Sequence, residues 1–477
     1  MRQVLRALVL PAAALLLAGC AVTRPPSQVE APLPAQWHAP LPHDGQLADM
    51  ARWWEQLQDP LLVDLISAAQ AASPTIAQAA TRIETARATR VAAGAALLPS
   101  LDATASASRG FTQPPIPLAT TVQGGLQTAW EIDLFGGNRA AADAAQARLQ
   151  GAQAGWHDAR VSVAAETANT YVALRTCQRQ LAVAGNDARS RAETSRLNQL
   201  SAEAGFTAPA VAALARASAA EASARLTQQR AQCEIDLKSL VALTAVPEPA
   251  LRERLATPWT EPGPVPLFGV TAVPAQVLAQ RPDLFQAERE VSASSADVGS
   301  AQAQRYPRIS LSGSVAAGMV RLGGEWTDAQ TWSIGPLAVT LPLFDAGRRA
   351  ANADAARARY DEAVVTYRAR LRQAVAEVEQ ALVNLESARR RDEDARTAAE
   401  GYRASFVATD ARFRGGLASV FELEDARRTL LAAETALVTL QRERAAAWVA
   451  LYRATGGGWR RDEATAGAAR TREGKNE

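Results

Sequence analysis

Histidine, cysteine and methionine are scarce in this chain, at 3 each among 477 residues, and only 5% of it is aromatic. His38, His43 and His157 lie far apart, with no spacing that would gather ligands round a metal. There is no Gly-Lys-Ser/Thr phosphate loop and no Gly-x-Ser-x-Gly elbow, so no catalytic group, metal or cofactor is expected. An excess of one charge is missing as well. The 51 basic residues are balanced by 49 acidic ones, which removes the electrostatic basis for binding nucleic acid. Beyond the N-terminal leader no run approaches about 18 apolar residues, so no transmembrane helix is expected. If the chain crosses a membrane, it must do so as strands. Abundant alanine with few aromatics matches long, close-packed helices.

What is present begins with a secretion signal. Arg2 and Arg6 precede the apolar run Ala7 to Leu17, and Leu17-Ala18-Gly19-Cys20 resembles a lipobox with Cys20 as the acylated first mature residue. Ala21 follows, not the aspartate that retains such lipoproteins at the inner membrane, so sorting to the outer membrane is implied. Residues Ala21 to Gly45 are Pro-rich and polar and read as an extended tether.

The longest pattern starts at Gly347. Tyr360, Val364, Tyr367, Leu371, Ala374, Val378, Leu382 and Leu385 recur at steps of three and four. The rhythm resumes at Ala395, Ala399, Tyr402, Phe406 and Phe413. This is coiled-coil spacing held for about 69 residues, roughly 100 Å of helix. Gly415-Gly416 breaks it before a second, shorter helix. Earlier in the chain Pro74, Pro99, Gly136 and Gly205 mark the same sequence of boundaries as Pro282, Pro307, Gly347 and Gly416. The offsets are about 208 and about 211 residues, so the chain reads as a tandem duplication. Each copy carries two alternating stretches. These are Leu101 to Ala107 and Leu126 to Leu134 in the first copy, Ile309 to Met319 and Ser333 to Leu343 in the second. Strands of about 10 residues, tilted, cross a bilayer, but four strands per chain cannot close. Three chains would supply twelve, and two only eight, without room for a wide pore. Phe111, Trp130, Phe135, Trp326, Trp332 and Phe344 are expected at strand ends, where aromatic girdles sit.

Four motifs then name a family. Trp130-Glu131-Ile132-Asp133-Leu134-Phe135-Gly136, Arg281-Pro282-Asp283-Leu284 with Ala287-Glu288, Leu341-Pro342-Leu343-Phe344-Asp345-Ala346-Gly347, and Gly456-Gly457-Gly458-Trp459 occur in that order. From about Trp53 to Trp459 the chain resembles the outer-membrane factors of the TolC and OprM type, in their NodT-like lipoprotein subgroup. The resemblance implies a mixed α and β fold: a trimeric 12-stranded outer-membrane β-barrel continuous with a long periplasmic α-helical coiled-coil barrel. It also implies an exit duct for drugs or other toxic small molecules. Its partners would be a periplasmic adaptor protein, an inner-membrane transporter of the RND, MFS or ABC type, and outer-membrane lipid. The expected divisions are a signal peptide 1–19, a lipidated tether 20–50, repeat one 51–250, a linker 251–274, repeat two 275–459 and a disordered tail 460–477. Two other readings remain, a type I protein-secretion duct and a pore-less coiled-coil envelope lipoprotein. Conductance in planar bilayers separates the pore-less one, and a deletion strain's drug susceptibility against its secretion separates the other two.

A duct needs a gate. Glu422 and Asp425 are three apart, so they share a helix face just beyond the Gly415-Gly416 turn, and in a trimer they would form stacked carboxylate rings. The resemblance places the family's constriction acids at these positions. It also matches Ala418 and Phe413 to positions where TolC carries a gate-locking Arg and Tyr, leaving Arg412 and Arg414 as candidate tethers. The first repeat has Val211 opposite Glu422. The turns Gly205-Phe206-Thr207 and Gly415-Gly416-Leu417-Ala418-Ser419 resemble adaptor-contact tips, and the apolar Phe206 and Leu417 suit docking. Cys177 and Cys233 each lie about 28 residues from Gly205, one on either side. In an antiparallel hairpin that sets them at one height, so a disulfide is expected in the oxidising periplasm.

Overall fold

A computed structural model of the chain describes residues 22–31, 34, 54, 59–111, 118–257 and 278–461. The predicted signal peptide, Cys20, most of the tether, residues 258–277 of the linker region and residues 462–477 of the tail lie outside the described residues. The elements run α1 (Pro60–Ala72), α2 (Pro74–Ala95), β1 (Ser100–Gly110), β2 (Ala119–Ile132), α3 (Gly137–Glu203), α4 (Pro209–Thr244), α5 (Glu248–Leu255), α6 (Pro282–Ala303), β3 (Arg308–Leu322), β4 (Glu325–Thr340), α7 (Arg348–Arg414) and α8 (Val420–Ala454). A helix, two strands, a 67-residue helix and a shorter helix thus occur twice in the same order. Both long helices open on one device. Asp133 accepts from the amides of Asn138 and Arg139 at 3.1 and 2.8 Å, and Asp345 from those of Gly347 and Arg349 at 3.1 and 3.2 Å. These carboxylates satisfy amide donors that a helix start leaves open.

The described residues form two compact units. The first takes in the described part of Met1–Ala31, Ala79–Gly155 and Asp283–Arg370. It holds one antiparallel sheet in the order β1-β2-β3-β4. The register puts Ala103, Leu126, Val315 and Trp332 side by side, and Trp130, Leu311 and Leu337 likewise. Asp102, Gln127 and Ser314 with Ser333 line the opposite face. The apolar face is bare in the single chain, with Val315 63%, Trp332 75%, Ile334 85% and Leu337 62% exposed. The polar face is the crowded one. A Cβ on Gly318 would lie 2.3 Å from the Val122 carbonyl, and one on Gly125 2.4 Å from that of Val315. Gly318→Val is therefore expected to abolish assembly, read as loss of SDS-resistant protein from outer-membrane fractions; normal assembly would refute this reading of the sheet.

Several expectations need correction here. The strands are 11, 14, 15 and 16 residues long, not about 10. β2 stops before Leu134, and β4 starts eight residues before Ser333 and ends before Leu341. Trp332 consequently sits in mid-strand rather than at an end. Between the pairs Leu311–Leu337 and Gly313–Ile334 β4 carries one extra residue, a bulge. That bulge sends Ser333 to the polar face while Leu337 stays on the apolar one, which breaks the single alternation read from Ser333 to Leu343. Residues 22–31, read as a free tether, lie against α6 and α7, where Ser292 donates to the Ser27 carbonyl at 2.9 Å and Tyr360 to that of Pro26 at 3.0 Å. Helix packing beside the sheet is fine-grained, as in the alanine seam of Ala144, Ala147, Ala293 and Ala296.

The second unit takes in the described parts of Pro32–Gln78, Trp156–Pro282 and Leu371–Glu477. Its core joins α1, α3, α4, α5, α7 and α8 through Leu65, Tyr171, Leu240, Leu251, Leu382 and Leu451, all essentially buried. Burying each of the leucines contributes roughly 1.5–3 kcal/mol. The predicted stripe on α7 is this core's wall: Leu371, Ala374, Val378, Leu382 and Leu385 are buried. The linker begins later than expected, because Leu251 to Leu255 belong to α5 and Leu251 is fully buried. Arg281 explains one family motif. Its guanidinium, itself buried, donates to the Ala454 carbonyl at the end of α8 and to Glu377, at 2.9 and 2.8 Å.

Candidate gate and docking site at the hairpin turns

Both turns are built alike. Gly205 and Gly416 hold left-handed backbones with φ of 81° and 74°. The next amides, of Phe206 and Leu417, reach back five residues to the Ser201 and Arg412 carbonyls at 2.9 and 2.8 Å. These are Schellman closures, which leave the side chain after the glycine free to pack on its helix. Here they do not: Phe206 is 86% and Leu417 73% exposed. Thr207 hydrogen-bonds Ser201 across the first turn, and Gly415 precedes the reversal in the second.

Ser419 caps α8. Its Oγ accepts from the Glu422 amide at 3.2 Å, while its own amide donates to the Glu422 carboxylate at 2.7 Å. That reciprocal pair is a capping box, legible as Ser419-x-x-Glu422 but missed in the sequence. Glu422 therefore has a structural job besides any gating one. Asp425 is exposed and pairs with the equally exposed Arg428. Glu422→Ala is expected to fray the first turn of α8 at a cost of about 1 kcal/mol, read as faster amide exchange at Leu423. Ser419→Ala should do the same, and protection unchanged in both variants would exclude the box.

The acid that reaches across to the other hairpin is neither of these but the part-buried Glu424. Its carboxylate accepts from Arg191 of α3, from Arg427 one turn along α8, and from Ser218 of α4 at 2.7 Å. Arg191 also donates to Asp187 at 2.8 Å and to Ser218. Arg427, only 3% exposed, donates to the hydroxyls of Ser190 and Thr194 at 2.9 and 3.0 Å and lies over the Phe406 ring of α7. Burial pushes the Arg427 guanidinium below its usual pKa, and the Glu424 carboxylate opposes that shift. One network thus ties both helices of the first hairpin to the second, within about four helical turns of the tips.

Arg412 and Arg414 do not take part. Arg412 donates to the Leu417 carbonyl within its own turn, and Arg414 pairs with Asp410 at 2.9 Å. The signal for the network was a charged residue on an apolar stripe, since Val420, Leu423 and Arg427 are buried at helix-face spacing. Above this network Cys177 of α3 and Cys233 of α4 are bonded, with Cα atoms 5.5 Å apart. Among the described residues no cluster of His, Cys, Asp or Glu could hold a metal ion, and no helix is long and apolar enough to cross a membrane.

A family profile described as "Outer membrane efflux protein" matches residues 65–246 and 273–457. The chain is 28% identical over 465 residues to the pyoverdine export outer membrane protein OpmQ of Pseudomonas aeruginosa, covering 94% of this chain and 96% of that one. It is 29% identical over 466 residues to the solvent efflux pump outer membrane protein SrpC of Pseudomonas putida, covering 94% and 97%. The solved outer-membrane channel OprN superposes with a TM-score of 0.78 at 28% identity, over 92% of this chain and 99% of that one. With the profile spanning most of its length in two successive matches, this chain belongs to the outer membrane efflux protein family.

Proposed function

We propose that this protein is the outer-membrane exit duct of a tripartite efflux pump for toxic small molecules. The observation that carries the reading is the sheet: four strands, a bare apolar face, and β1 and β4 each paired on one side only. Such a sheet satisfies its edges and covers its apolar face by joining two further copies into a twelve-stranded barrel in lipid. A tandem duplication accounts for the repeated order of elements and for the two successive profile matches. Acylation at Cys20 adds an anchor. The exposed Phe206 and Leu417 tips suit a periplasmic adaptor, which couples the duct to an inner-membrane RND, MFS or ABC transporter. Rings of Glu422 and Asp425 narrow the periplasmic end, and the Glu424–Arg427 network holds it closed. Export of pyoverdine and solvents by relatives favours small molecules as cargo.

Reconstituted in planar bilayers, the protein is expected to conduct, with divalent cations blocking from the periplasmic side. Glu422→Gln with Asp425→Asn is expected to relieve that block. Deleting the gene is expected to sensitise cells to exported compounds. A preparation that never conducts, from a gene whose loss changes no susceptibility, would sink the reading.

A further inference from the structure

The outward face of the sheet is apolar for most of its height but not at one end. The helices α2, α3, α6 and α7 all join the strands at the Ser100, Ile132, Arg308 and Thr340 end, so the Gly110 and Leu322 end is remote from their points of attachment. At that remote end the register sets Arg109, Thr120, Arg321 and Trp326 in one row across the four strands. An even number of residues separates the row from Leu126, Val315 and Trp332, so it shares their face. Both arginines are exposed, and among the described residues neither forms an ion pair. Arg308, at the helix end and on the opposite face, is by contrast paired with Glu131. Asp328 is the other charged side chain of the apolar face. It stands opposite Met319, one place deeper on β4, and pairs with neither arginine. Arg321 is already positioned, since its Nε donates to the Gly324 carbonyl at 3.1 Å and its guanidinium lies 6.0 Å from the Trp326 ring centre. That leaves its two terminal nitrogens for a ligand.

We propose that this row binds the phosphorylated headgroup of an outer-leaflet lipid, with lipid A, the diphosphorylated glycolipid of Gram-negative outer membranes, as its occupant. This rests on the reading that the sheet spans the outer membrane with its helix end toward the periplasm. An arginine facing lipid is costly at mid-depth and cheap near the interface, which is where the row then stands. Neighbouring strands lie about 4.8 Å apart, so Arg109 and Arg321, two strands apart, stand about 10 Å from each other at the backbone. Their long side chains close that gap far enough to grip one phosphate from two sides, or two phosphates of one headgroup. Guanidinium forks match phosphate oxygens bidentately, and an indole such as that of Trp326 sits at headgroup level. The acyl chains then lie along Leu126, Val315 and Trp332.

The full-length protein, purified in mild detergent, is titrated with diphosphorylated lipid A and separately with phosphatidylethanolamine, and native mass spectrometry counts the bound lipid. Wild type is expected to prefer lipid A. R109Q/R321Q should bind it at least about tenfold more weakly through lost charge-assisted hydrogen bonds. R109K/R321K keeps the charge but not the fork, and should also fall below wild type. An excess of inorganic phosphate should not displace the lipid, because the acyl chains hold it to the apolar face. SDS-resistant assembly of both variants establishes that they fold. Equal lipid A binding by wild type and either variant, equal binding of the two lipids, or displacement by free phosphate would each overturn the site. Planar-bilayer conductance reports on the duct separately. A wild type that conducts without preferring lipid A would defeat only the lipid site, and one that binds lipid A but never conducts would defeat only the duct.

Discussion

Arg427→Ala is expected to leave the channel open. In planar bilayers its conductance should exceed that of the wild type, and cells carrying it should become sensitive to bulky antibiotics that an intact outer membrane excludes. Glu424 sits between two guanidinium groups, from Arg191 and Arg427, and Arg427 Nη2 donates to Ser190 and Thr194 of the other hairpin. Truncating it removes two cross-hairpin hydrogen bonds and the charge that balances a nearly buried carboxylate. Breaking a buried pair from one side costs roughly 3–5 kcal/mol. Placed wholly in the closed state, that loss would raise the open fraction by about two orders of magnitude or more. Arg428→Ala is the control, since Arg428 is exposed and pairs with Asp425 through an i,i+3 contact of small worth. SDS-resistant assembly of both variants establishes that they fold. An Arg427→Ala channel with wild-type conductance and an unaltered antibiotic profile would show that the network has no hold on the gate.

The network was hidden in the sequence for a physical reason. Glu422, Glu424 and Asp425 are nearly consecutive acids, and helix-face spacing says only which of them share a side. The partners of Glu424 are Arg191 and Ser218, more than 200 residues away in the chain, so the stripe of Val420, Leu423 and Arg427 marks a buried charge but not the acid that meets it. The elements themselves were legible. Pro74 and Pro282 start helices at the predicted boundaries, and Gly205 and Gly416 end two of them, because these residues act through their own backbones. Strand limits were less so. The bulge at Gly335-Pro336 swaps faces within β4, and Glu325 to Gln330 lack the apolar alternation that would have extended it. The docked segment 22–31 was invisible for a further reason. Its Pro-rich composition reads as tether, whereas its docking depends on three side chains from two distant helices.

Replacing Cys177 and Cys233 with serine is expected to loosen the first hairpin while leaving the second as it was. The bridge closes a loop with a sequence separation of 56. The chain-entropy model puts its worth at about 4 kcal/mol, if the folded hairpin is otherwise unstrained. Nothing comparable joins α7 to α8. They are stitched by Arg391–Glu443 at 2.5 Å and Arg403–Glu434 at 2.7 Å, pairs whose arginines are more than half exposed. Each is worth roughly 0–1 kcal/mol and weakens with salt. The two hairpins should therefore respond to opposite treatments. In hydrogen exchange of the detergent-solubilised protein, the double serine variant should lose protection along α4, by up to about a thousandfold where opening breaks the loop. The α7 and α8 amides should keep theirs. Raising salt from 0.1 to about 1 M should do the reverse, since the screening length falls from about 10 to about 3 Å. This asymmetry suits a channel in which the bonded hairpin stays put and the other, held to it by Glu424 and Arg427, is released when that network parts. Equal loss of protection in both hairpins of the serine variant would mean that they open as one unit, and a gate that swings on a fixed partner would have to be given up.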